Sequence, residues 1–242
     1  MIALAYRGRN EPVAPPAAGH HYSDTNYVLL GMIVSKVTGR PLGDVIRTTL
    51  LEPLGMVSTY FYSDAVRGHF RPNTPMVQGY LLNSQAIRNV ISVNPMFRAV
   101  LGRTSSENNL INTTLASERV EGAANIVSTL PDMMRFAAAV FHGELLSPRT
   151  QAFLMAAGGP GLALGQQRTW TLQSMHRPFG MLVCKQGDGP GGMTAIMAYT
   201  PQTGDIYVAF TNSFGHFDEA DFLVDEVIGS LVSAPSRSRA AH

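Results

Sequence analysis

Two short stretches hold the side chains best suited to chemistry. The first is Tyr22-Ser23-Asp24, which sets a titratable hydroxyl and a carboxylate directly before an apolar helical pattern, at a helix N-terminus. The second is Lys185-Gln186-Gly187-Asp188, which ends a strand-like apolar run and precedes the turn Gly189-Pro190-Gly191-Gly192. Lys36 and Lys185 are the chain's two lysines, and the residues three before them are Ile33 and Leu182. These 242 residues therefore contain no Ser-x-x-Lys pair, and Gly-x-Ser-x-Gly is absent as well. The seven histidines lack ligand spacing: His20 and His21 are adjacent and the others isolated, so no metal is expected. Gly187 to Gly192 is not followed by Gly-Lys-Ser/Thr, so it reads as a hairpin turn and not as a phosphate loop.

The elements that must position these groups follow from periodicity. Tyr27, Leu30, Val34 and Val37 recur at helical steps until Gly39-Arg40-Pro41, with Asp24 expected as the N-cap. Leu42, Val45, Ile46 and Leu50 repeat the pattern in a second helix closed by Pro53 and Gly55. Thr129 followed by Pro131 and Asp132 is a capping-box signal for a helix whose stripe is Met133, Phe136, Ala137 and Val140, ending at Gly143. Ser147-Pro148 opens another, ended by Gly158-Gly159-Pro160. The last third changes period, with strands expected over 179–185, 193–200 and 205–211, a hairpin at 201–204 and a closing helix over about 217–232. Three adjacent antiparallel strands with helices on either side make an α+β fold. Residues 1–20 read as a loop or poorly ordered terminus, 21–234 as the domain with a variable lobe at 57–121, and 235–242 as a tail.

Composition narrows the class. A net charge of +1 with scattered Lys and Arg gives no basic face for nucleic acid, and no apolar run is long enough for a transmembrane segment. The opening residues lack the pattern of a signal peptide, which leaves the compartment open. Cys184, the single cysteine, excludes an internal disulfide and reads as a small buried apolar residue. On spacing alone, Tyr22 is an ordinary helix-entry aromatic and Lys185 a strand charge that discourages edge pairing.

The wording of several segments goes further. Tyr-Ser-Asp-Thr-Asn-Tyr-Val-Leu-Leu-Gly from Tyr22, Val-Thr-Gly-Arg-Pro-Leu from Val37, Glu-Pro-Leu-Gly-Met from Glu52 and Ala-Asn-Ile-Val-Ser-Thr-x-x-Asp-Met from Ala124 resemble the serine beta-lactamase-like hydrolases, which include class C beta-lactamases, D-alanyl-D-alanine carboxypeptidases and esterases. The resemblance implies an antiparallel sheet flanked by helices, with a helical or irregular lobe, and amide or ester hydrolysis through an acyl-enzyme without a cofactor. Tyr22 then corresponds to the family's catalytic tyrosine, and Asp24 stands where asparagine is usual. Lys185 corresponds to the cation of the Lys-Thr-Gly or His-x-Gly strand, Gln186 and Gly187 to the rest of that motif, and Asp188 to an oxyanion N–H donor. An alternative alignment sets Asp188-Gly189 against His-x-Gly.

In relatives the Ser-x-x-Lys helix lies upstream of the tyrosine, so the expectation is an N-terminally truncated member of a family acting on small-molecule or peptide substrates, inactive alone. The rival expectation is a non-catalytic pseudoenzyme that binds peptidoglycan-like or acyl ligands. A third expectation is a split protein whose missing N-terminal half is supplied by another chain. Complete relatives are often periplasmic or secreted.

Overall fold

The computed structural model describes residues 23–62, 77–82, 88–89, 106–107, 110–112, 122–143, 145–155, 159–160, 166–168, 172–189, 192–214 and 223–233. The chain divides into two compact units, Met1–Pro75 with Glu118–Ser128, and Met76–Ser117 with Thr129–His242.

The first unit is built on helix α1, Asp24–Thr38, which ends at Gly39 in a left-handed C-cap (φ 67°). Asp24 in its first turn and Lys36 in its last complement the helix dipole. The N-cap is Ser23, with extended backbone and no side-chain capping bond, so Asp24 is the first helical residue and not the cap expected from sequence. Helix α2, Leu42–Ile46, continues into a π-helical turn, Arg47–Leu51, closed by a bond from the Glu52 N–H to the Arg47 carbonyl. Two-residue strands β1, Tyr60–Phe61, and β5, Ile126–Val127, pair antiparallel. Gly31 faces this body: a Cβ there would stand 2.9 Å from Leu42 Cδ2 and 3.4 Å from the Gly122 backbone. Gly122 itself (φ 94°) would place a Cβ 2.7 Å from the Tyr27 carbonyl oxygen, so two glycines allow the 122–126 segment to lie against the helix.

The second unit holds a four-stranded sheet in the order β12-β2-β4-β3: β2 is Tyr80–Leu82, β3 Ser106–Glu107, β4 Leu110–Asn112 and β12 Ser213–Phe214. Its larger sheet is antiparallel with six strands in the order β11-β10-β9-β8-β7-β6: Gly159–Pro160 (β6), Gln166–Arg168 (β7), Gln173–Arg177 (β8), Gly180–Gly189 (β9), Met193–Thr200 (β10) and Asp205–Thr211 (β11). The last two match the expected strands, and β9 runs four residues past Lys185. Strands β6 to β8 extend the three that sequence reading found. Their segments, such as Gln-Gln-Arg and Gln-Ser-Met-His-Arg, offer no apolar run to signal a strand.

Helix α3, Leu130–Phe141, begins where the capping signal placed it, with the Thr129 hydroxyl accepting from the Asp132 N–H at 3.4 Å. Its Ala137, Val140 and Phe141 pack with Val183 and Met197 on one face of the large sheet, and Phe141 stacks on Tyr199 with centroids 5.2 Å apart. Helix α4, Pro148–Met155, follows. On the sheet's other face, Val224 and Ile228 of the π-helical turn Leu223–Ile228 join Met175, Leu182, Cys184, Ile196 and Ala198 in a second core. Arg177 anchors that turn through a 2.8 Å ion pair with Asp225, and helix α5, Gly229–Ser233, ends the described chain. The expected start of this closing helix, at 217–222, lies outside the described residues, as do the apolar pieces 90–93 and 96–101 of the lobe.

Candidate active site

Residue alternation along β9 decides which candidate side chains share a face. Opposite residues of an antiparallel pair project to the same side, and successive residues to opposite sides. Lys185 lies opposite Met197, a member of the core beneath α3, whereas Gln186 lies opposite Ile196 of the core beneath the C-terminal turn. Lys185 and Gln186 therefore project to different faces of the sheet.

Two residues beyond Lys185 on its own face is Gly187, exposed, opposite Ala195, which is opposite Phe210 of β11. A Cβ at Gly187 would meet nothing within 4 Å. The α3 side of the sheet thus ends in a shallow platform of Gly187 and Ala195, with the partly buried Lys185 at one corner and the 38% exposed Phe210 at the other. Pairing of β9 with β8 stops at Cys184, opposite Gln173. Ala195 and Phe210 were missed in the sequence because only the register of two hairpins brings them beside Lys185.

Of the remaining candidates, Asp24 sits half-buried in the first turn of α1, Asp188 is described in its backbone opposite Thr194, and Tyr22 lies outside the described residues. Ser23, its neighbour, is fixed as the α1 N-cap. The first unit also has an apolar cavity of about 390 Å³, lined by Tyr27, Gly31, Val34, Leu42, Phe61 and Ala124 among others. Burial raises the Tyr60 phenol above its ordinary pKa, with the nearby Tyr62 adding to it, and burial does the same to Tyr207 with Asp205 adding. Among the described residues no three His, Cys, Asp or Glu side chains are grouped to hold a metal ion.

The Beta-lactamase family model matches residues 3–228. A penicillin-binding protein of Bacillus subtilis is 25% identical over 186 residues, which are 76% of this chain and 38% of that protein. A putative D-alanyl-D-alanine carboxypeptidase of Escherichia coli is 46% identical over 46 residues, 19% of this chain and 11% of that protein. Among solved structures, the D-amino acid amidase of Ochrobactrum anthropi, complexed with D-phenylalanine, superimposes with a TM-score of 0.74 at 25% identity, covering 96% of this chain and 64% of its own. The chain therefore spans well under two thirds of its curated relatives.

Proposed function

The chain belongs to the Beta-lactamase family, and from that premise we propose that it supplies the base and cation of a serine hydrolase cleaving amide or ester bonds through an acyl-enzyme. In this reading the Tyr22 phenol, with an ordinary pKa of about 10, acts as base once a cation of the complete enzyme stabilises its phenolate. The serine oxygen attacks the carbonyl carbon and its proton passes to Tyr22, while backbone N–H donors, that of Asp188 among them, meet the negative carbonyl oxygen. Collapse of the tetrahedral species breaks the bond to the amine or alcohol, which leaves with the proton from Tyr22. Water then repeats the sequence on the ester and frees the acid.

Lys185 also attracts a substrate carboxylate, and the open surface at Gly187 receives the chain beside it. Asp24 pairs with cations and cannot donate as an amide would, and Gln186, on the opposite face, supports the strand from behind. The observation that carries the proposal is a partly exposed lysine beside an open glycine on the strand where the family sequence pattern expects a cation.

Ser-x-x-Lys is absent from these 242 residues, so the chain by itself is proposed to be inactive. Incubation with nitrocefin, a p-nitrophenyl ester and D-phenylalanine amide is expected to give no turnover above buffer. Turnover that vanishes in Tyr22→Phe would refute inactivity and locate a nucleophile within the chain.

The absence of Ser-x-x-Lys favours a second reading, a pseudoenzyme that binds peptidoglycan-like or acyl ligands. It expects saturable calorimetric heat with a D-alanyl-D-alanine peptide, weakened about tenfold by Lys185→Ala. A heatless titration sinks it.

A further inference from the structure

Within the second unit, Asn212 bonds to the start of β2 through both its side chain and its backbone. Its Nδ2 donates to the Gln78 carbonyl at 3.1 Å, and its own carbonyl accepts from the Tyr80 N–H at 2.8 Å. The two bonds flank the buried Gly79, as the donor and acceptor of a paired strand residue would. The side-chain amide thus adds a rung to a ladder that is otherwise short. Beyond it β12 pairs with β2 at two positions, Ser213 with Tyr80 and Phe214 with Leu81, and so brief a pairing is marginal by itself. Thr211 shapes the bend between β11 and β12: its Oγ1 accepts from the Ser213 N–H at 3.0 Å and donates to the Ser213 carbonyl at 2.9 Å.

Strand register relates this clasp to the candidate site. Asp188 lies opposite Thr194, and Thr194 opposite Thr211. Two strand spacings, about 10 Å, separate the Asp188 and Thr211 backbones. Asn212 comes next, so the clasp begins where the row holding the Asp188 N–H ends. In the adjacent row, Gly187 and Ala195 leave the Lys185 side of the sheet low between β9 and β11. Gly79 and Leu81 are buried, whereas Gln78 is exposed and Tyr80 half-buried, with the Tyr80 phenol donating to Gln78 Oε1.

We propose that Asn212 is a positioning residue for substrate selectivity. It holds β2 near the end of the sheet that carries the Asp188 N–H, and β2 meets the part of a substrate that extends beyond the residue bearing the carboxylate. This rests on the hydrolase reading above, in which Lys185 attracts that carboxylate. Asn212 acts through β2 and touches no reacting atom.

The test titrates the 242-residue chain calorimetrically with N-acetyl-D-alanine and N-acetyl-D-alanyl-D-alanine. Asn212→Asp keeps the shape of the side chain and loses the N–H. It is expected to weaken the dipeptide about tenfold relative to the single residue, and Asn212→Ala to do the same. The charge added by Asp acts on two ligands that both carry a carboxylate, so it largely drops out of the ratio, and Ala adds none. Hydrogen exchange is expected to quicken several-fold across 78–82 and to stay unchanged across 193–200, with circular dichroism unaltered.

Equal weakening of both ligands, or of neither, overturns the proposal, as does unchanged exchange across 78–82. If Lys185→Ala still weakens both ligands in that case, the hydrolase reading survives. A ratio that shifts in the Asn212 variants while Lys185→Ala changes nothing leaves the clasp standing and removes Lys185 as the cation. A wild-type chain that binds neither ligand overturns both.

Discussion

Helices α1 and α3 carry apolar residues at the same spacing and meet opposite fates. In α3 the stripe is inside, with Ala137, Val140 and Phe141 at 0, 5 and 4% exposure against the sheet. In α1 Leu29, Ile33 and Val37 are outside, and the buried position facing its unit is Gly31, where another backbone approaches. Periodicity specifies that a stripe exists, while the surface that covers it is set by tertiary partners. The contrast also extends to the helix starts, where Thr129 caps with its side chain and Ser23 does not.

The largest expected difference comes from truncating each stripe. Phe141→Ala should cost about 3–5 kcal/mol, because it empties a packed site and removes the stack on Tyr199. Ile33→Ala should stay within about 0.5 kcal/mol in the isolated chain. Equal shifts in urea midpoint would erase the distinction. Next in size, Gly122→Ala should destabilise by about 1–3 kcal/mol, since a Cβ would crowd the Tyr27 carbonyl on a backbone already at φ 94°. A neutral thermal melt for that variant would show that the loop does not rest on α1.

The caps give a smaller contrast: Thr129→Ala is expected to cost about 1 kcal/mol and Ser23→Ala only a few tenths, read as denaturant midpoints. Alkali should separate the folded and unfolded chains least. With the Tyr60 and Tyr207 phenols raised by burial, both states are neutral below about pH 10 and stability is intact there. Above it the unfolded chain ionises first, so stability falls as pH rises towards the folded-state values. Tyr60→Phe should flatten part of that decline in urea titrations at stepped pH, and an unchanged slope would count against burial of the phenol.

What could be read in advance follows the same division. Met193–Thr200 and Asp205–Thr211 were legible because strands with apolar cores on both faces of the sheet spell nearly continuous apolar runs. Gln173–Arg177 was not, since its polar side chains hide the alternation that puts Met175 in the core. At the candidate site, Lys185 and Gly187 could be named from the chain alone. Their separation from Gln186, and the company of Ala195 and Phe210, became visible only through strand register. Asp24 shows how a cap assignment slips by one position when two residues able to cap are adjacent.

Cys184 sits wholly inside, where β9 passes beneath the C-terminal turn, and it is the single cysteine of the chain. An alkylating agent can react there only when that turn lifts or the sheet parts. The rate of its modification thus serves as an unlabelled clock for opening of the second unit.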